Sequence, residues 1–136
     1  EYSSGMRRDI QRSKPRFDLL LTDGLPYEDQ FLTRLAGLLS RGAEKYGERN
    51  WQLANSREEL ERFKASALRH MTQWACGERD EDHAAAVAFN LMAFEYVKWK
   101  LENAQASEER TETSEDSSSG GPLERWFWDI GIRPPS

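Results

Sequence analysis

Residues 77–83 read GERDEDH, which crowds Glu78, Asp80, Glu81 and Asp82 into five positions, with Arg79 among them and His83 directly after. Like charges this close repel. Two arrangements make the cluster tolerable. One is the solvated start of a helix, whose free amides and dipole favour each acid by a few tenths to about 1 kcal/mol. The other is a cage for Mg2+ or Mn2+, hard cations that turn carboxylate repulsion into ligation. One or two acids suit the first arrangement, whereas four strain it. The run that follows, Ala84-Ala85-Ala86-Val87-Ala88, has little bulk, so a ligand or another helix can approach the backbone. Asn90 lies seven residues past His83, nearly two helical turns along the same face. Asp82, His83, the alanines and Asn90 therefore line one shallow groove, or else the alanines pack a neighbouring helix and Asn90 is bonded internally.

Other candidates lie upstream. The adjacent Arg69 and His70 suit a phosphate contact or a hydrogen-bonded structural histidine. In GAEKYGERNW, Glu44 and Glu48 are four residues apart on one helix face; they complete a cation site from the opposite side, or face water and pair with Arg41 or Lys45. Arg49, Asn50 and Trp51 suit a nucleobase and its phosphate, with Trp51 stacking, Asn50 reading an edge and Arg49 neutralising charge. Trp51 as a lid over the core is the alternative. There is no GxxxxGK[ST] loop and no HExxH, and one cysteine cannot build a zinc cluster. Cys76, beside Gly77, reads as packing rather than as a nucleophile.

Helices must position these groups. Phe31, Leu32, Leu35, Leu38 and Leu39 draw an apolar stripe between Tyr27 and Gly42, with Pro26 suited to the first turn and Gly47 to the end. Ser56-Arg57-Glu58-Glu59 has the form of a capping box and opens a second helix, whose inner face is Leu60, Phe63, Ala67, Met71 and Trp74, with Gly77 as its stop. A third helix is expected from about Asp80–Asp82 to about Asn103, carrying Val87, Phe89, Met92, Phe94, Tyr96 and Leu101. The segment Arg16 to Leu21 reads as an extended piece or a helical turn. Three substantial helices predict an all-α bundle.

At 136 residues the chain holds one domain with ragged ends, expected as a body over 1–105 with a basic N-terminal arm, an acidic disordered linker over 106–121, and an aromatic tail over 122–136. The tail's Trp126, Phe127, Trp128, Ile130 and Ile132 dock on the body or a neighbouring subunit, or recruit another protein. The net charge is −5, and the only basic concentration is Arg7, Arg8, Arg12, Lys14 and Arg16, which suits a polyphosphate or a solvated arm better than duplex nucleic acid. No apolar run reaches about 18 residues, so no membrane span is expected, and the single cysteine fits the cytoplasm.

In order, the segments GMRRDI, KPRFDLL, RLAGLLSRGAEKYGERNW, ALRHMTQWACGERDEDH and AAAVAFNLMAFEYV resemble the phage-associated dATP/dGTP diphosphohydrolase N-terminal family, over about residues 5 to 98. The resemblance implies an all-helical, MazG-like nucleotide pyrophosphohydrolase, working as a dimer or higher oligomer in a host cytoplasm. It implies cleavage of dGTP or dATP to the monophosphate and pyrophosphate, with carboxylates on two helices holding Mg2+. Better-known members carry ExxE on one helix and ExxD on another. This chain departs from that pattern, since Glu44 and Glu48 are four apart and no ExxD opens the third helix. On this reading Glu81 and Asp82, with Glu44 and Glu78, hold the cation, and a free carboxylate of the cluster takes a proton from water. Lys45, Arg49 and His70 then meet phosphate, while Asn50, Trp51 and Asn90 meet base and sugar. The rival reading is a non-enzymatic helical adaptor that binds a partner through its tryptophan-rich tail.

Overall fold

The computed structural model describes residues 2–8 and 13–112; the expected tail, most of the expected linker, and Arg12 of the basic arm lie outside them. Among the described residues there are three α-helices, three short 3-10 turns and no strand, an all-α fold as expected. Helix α1 spans Phe31–Tyr46, α2 spans Arg57–Ala75 and α3 spans His83–Glu112.

Local chemistry fixes most boundaries. The Ser56 hydroxyl accepts from the Glu59 amide at 3.2 Å, and the Glu59 carboxylate accepts from the Asn55 amide and the Ser56 hydroxyl, so the capping box forms. Gly47 at φ 94° and Gly77 at φ 82° follow the ends of α1 and α2, a backbone region that glycine enters without steric cost. The segment left open at Arg16 to Leu21 contains a 3-10 turn, Phe17–Leu20. Gln30 precedes α1 and is buried. Its side chain accepts from the Thr22 amide and donates to the Thr22 and Leu25 carbonyls, strapping the preceding segment to the helix start.

The core lies between α2 and α3, where Leu60 and Val97 are fully buried beside Ala54, and Phe63, Phe94 and Leu101 pack around them. Two positions of the expected α2 inner face depart from it: Met71 and Trp74 are exposed, and His70 takes the buried place. Because α3 begins at His83, opposite His70, it supplies no further turn to cover Trp74. Cys76, expected as packing, is also exposed. Helix α3 continues past Asn103 to Glu112, so the first part of the acidic stretch is helical. A formed helix gains one hydrogen bond for each residue added, and the Ala, Glu and Arg here are good helix formers.

Helix α1 packs on α3 yet buries none of its residues; Leu35, Leu38 and Leu39 are half-buried, while Phe31 and Leu32 are exposed. Its anchor is ionic. Arg34 donates from Nε and Nη2 to the two carboxylate oxygens of Asp82, at 2.8 and 2.7 Å.

Candidate active site

The acidic turn sits where α2 ends and α3 begins. Asp82 is the cap of α3: its Oδ1 accepts from the Ala85 amide at 3.1 Å in addition to the Arg34 guanidinium. The Arg34 hydrogen bonds hold its carboxyl below the usual range against the opposing effect of burial, and the Ala85 amide adds to them. Asp82 thus serves the helix start and the α1 anchor, which leaves Glu81 and Asp80 as the neighbouring carboxylates with more oxygen to offer.

Beside the acids lies a chain of buried imidazoles that sequence spacing did not reveal. His70 Nδ1 is 2.9 Å from His83 Nδ1, and His83 Nε2 is 2.7 Å from Asp80 Oδ1. Arg69 Nη2 lies 3.4 Å from His70 Nε2 and can only donate, so that nitrogen accepts. The His70 proton then sits on Nδ1 and is donated to His83 Nδ1, and His83 donates from Nε2 to Asp80; this tautomer assignment follows from the network. Burial, reinforced by the Arg69 charge, depresses the His70 pKa and favours the neutral ring. The hydrogen bond from His83 depresses the Asp80 pKa in turn. One signal was available in the sequence, the Asp80 to His83 spacing of three; the pairing with His70 is tertiary.

Two sets of possible ligand atoms come together here, one from His70, Glu81 and His83 and one from Glu78, Asp80 and His83, each set lying within 4.8 Å. Imidazole nitrogen with carboxylate oxygen suits Mn2+ and other first-row cations, and the exposed Glu78, Asp80 and Glu81 can close the remaining distance. The exposed carboxylates therefore suit a divalent cation, whereas His70 and His83 would ligate one only by giving up their mutual hydrogen bond, since His83 Nδ1 accepts from His70 and its Nε2 donates to Asp80. The bond to Asp80 fixes the orientation and tautomer of the His83 ring.

Two clefts adjoin along α1. The first, about 480 Å³, is charged: Arg41 and Lys45 of α1 face Asp80, Glu81 and Asp82, with Ala86 of α3 at its floor. The second, about 720 Å³, is aromatic and runs past Tyr46, Glu48, Arg49, Asn50, Trp51, Phe63 and Phe89. Leu38 and Gly42 belong to the walls of both. Trp51 stands edge-on to Phe89 and Tyr96, with ring centres 5.8 and 5.7 Å apart. Its 3-10 turn, Asn50–Leu53, is held by Lys100, whose Nζ donates to the Gln52 and Ala54 carbonyls, both at 2.8 Å.

The expected site residues thus divide. Lys45, Glu81 and Asp82 meet at the charged cleft, and Arg49, Asn50 and Trp51 at the aromatic one. Glu78 borders a third hollow with Trp74, Arg79 and His83, which shares Glu81 and Asp82 with the charged cleft. Glu44 is exposed and lines none of the three. His70 is turned inward onto His83, and Asn90 is buried with its amide donated to the Ala86 carbonyl at 2.8 Å.

No helix among the described residues is long and apolar enough to cross a membrane. No curated protein and no solved structure matches the chain. The model of one family does match, over residues 4–107, and by that match the chain belongs to the family described as dATP/dGTP diphosphohydrolase, N-terminal.

Proposed function

We propose that this chain hydrolyses a purine deoxynucleoside triphosphate, dGTP or dATP, to the monophosphate and pyrophosphate with a divalent cation. One observation carries the reading: a charged cleft and an aromatic cleft adjoin along one helix face, and a nucleotide has a charged end and an aromatic end. The family description agrees with that chemistry.

In this reading Arg41 and Lys45 draw the phosphates into the charged cleft, while Trp51 and Phe89 offer ring faces and edges to the base. Asn50 reads a base edge, and Arg49, beside it on the same turn, adds positive charge. Water adds across the bond between the α and β phosphates, giving its hydroxyl to one phosphorus and its proton to the departing fragment. Glu81, exposed at the cleft, takes the proton as the oxygen attacks and passes it on to the departing fragment. Held by Asp80 with Glu78, Mg2+ or Mn2+ would supply charge neutralisation and a more acidic water. Asp82 keeps the turn in place through Arg34.

The exposed apolar side chains of the first helix and the segment before it (Phe17, Leu19, Leu20, Phe31 and Leu32) support association of copies as a dimer or tetramer. Light scattering on the purified chain checks this, and a monomer at working concentration removes it.

The enzymatic test is release of monophosphate and pyrophosphate from each deoxynucleoside triphosphate, with Mg2+ and again with chelator. Conversion of dGTP or dATP that chelator abolishes, and that Glu81→Gln lowers by about a hundredfold or more, is the expected result. A folded protein that turns over none of them refutes the reading.

A further inference from the structure

Gly47 and Gly77 are explained by their backbone conformations, but Gly42 is not. It lies inside α1, without a positive φ, and a Cβ built on it meets no atom within 4 Å outside its own stretch of helix. Neither conformation nor crowding by the protein calls for glycine here, and glycine is among the poorest residues for a helix interior. What its missing side chain leaves is space. That space is the junction of the two clefts, because Gly42 and Leu38, one turn earlier, wall both. Arg41 and Lys45 flank the junction on the charged side, and Ala43 and Tyr46 on the aromatic side. Four residues of helix rise about 6 Å, the scale of a single sugar ring.

We propose that Gly42 is a specificity-determining residue: it keeps the two clefts open to each other, so that one ligand can carry phosphates in the first, a base in the second and its sugar over the bare backbone between them. The inference rests on the nucleotide reading above. It separates Gly42 from every side chain that touches base or phosphate, because its contribution is the absence of a side chain. Substitution should therefore move stability and binding in opposite directions, which a glycine without a role in binding would not do.

The experiment compares the full chain with Gly42→Ala and Gly42→Leu, measuring thermal unfolding and calorimetric binding of two probes with Mg2+. One probe is the non-hydrolysed α,β-methylene analogue of dGTP, which needs both clefts; the other is pyrophosphate, which needs only the charged one. Gly42→Ala is expected to melt a few degrees higher and to bind the analogue about tenfold more weakly or worse. Pyrophosphate affinity is expected to stay unchanged, and Gly42→Leu to lose the analogue further. Analogue binding by Gly42→Ala equal to the unaltered chain overturns the inference, as does an equal loss of pyrophosphate or a lowered melting temperature. An unaltered chain that binds pyrophosphate alone refutes a continuous groove. One that binds neither probe refutes the nucleotide reading itself.

Discussion

The Arg34–Asp82 contact joins a helix with no buried residue to the start of the helix that carries the acidic turn, so removing it tests how the candidate site is held together. Asp82 performs two tasks that different substitutions separate. Asp82→Ala removes both the cap and the ion pair; Asp82→Asn keeps a capping oxygen and removes the charge. The cap contributes about 1 kcal/mol. The guanidinium contact is bidentate, but the Arg34 side chain is 39% exposed and that of Asp82 24%, so solvent screening reduces it to about 0.5–1 kcal/mol. Asp82→Ala is thus expected to cost about 1.5–2 kcal/mol, and Asp82→Asn and Arg34→Met about 0.5–1 kcal/mol each. Urea unfolding followed by circular dichroism measures these costs, and the Arg34→Met with Asp82→Asn cycle isolates the pair. The sign with pH is fixed by the depressed carboxyl of Asp82. Its contribution is complete above the ordinary carboxylate range, about pH 4, and is lost as pH falls through the lower folded value. The deficit of Asp82→Asn should therefore shrink in acid. A cycle with no coupling at neutral pH, or Asp82→Ala no worse than Asp82→Asn, refutes this assignment.

Two other residues can be probed in the same way. Lys100→Met leaves the Gln52 and Ala54 carbonyls without their donor, so a loss of about 1–3 kcal/mol in urea unfolding and a raised KM are expected; an unchanged KM would confine Lys100 to the fold. Arg49 occupies the left-handed region at φ 57°, and Arg49→Gly should recover about 1 kcal/mol of strain while raising KM, a pairing that a lowered stability or an unchanged KM would contradict.

What could be read from the sequence was local. The α1 helix, the Ser56–Glu59 box and the glycine stops each depend on residues within a turn or two of one another, and each forms, although Phe31 and Leu32 of the α1 stripe stay exposed. The contacts that build the site depend on distance along the chain. Arg34 and Asp82 are 48 residues apart, and His70 and His83 are 13 apart across the α2–α3 corner, so neither pair leaves a spacing that could be recognised. Gln30 carries no ordinary capping signature, since its side chain satisfies the preceding strap rather than the helix amides. Reading a helix face from a repeat also assumes a partner along its whole length, and Met71 and Trp74 lie where that partner is missing. The acidic turn illustrates both limits. Spacing alone cannot divide the roles of its four acids, whereas in the fold Asp82 caps α3 while Glu81 and Asp80 line the charged cleft.

Three local preferences are set aside in this chain, and each departure has residues on the walls of one or both of the two clefts along α1. Four acids crowd one turn against their mutual repulsion, Arg49 takes a backbone region disfavoured for side chains larger than glycine, and Gly42 weakens a helix that needs no glycine for packing. Each costs stability, in a domain whose first helix buries none of its residues. Costs scattered over a surface would carry no functional meaning. Gathered around two adjoining clefts, they describe a region that a better-packed bundle would have filled with leucine and alanine, and in which the chain holds space, charge and an exposed aromatic edge instead. The ionic anchor fits the same pattern: with no residue of α1 buried, Arg34 and Asp82 hold at one end what apolar packing does not hold along the length of the helix.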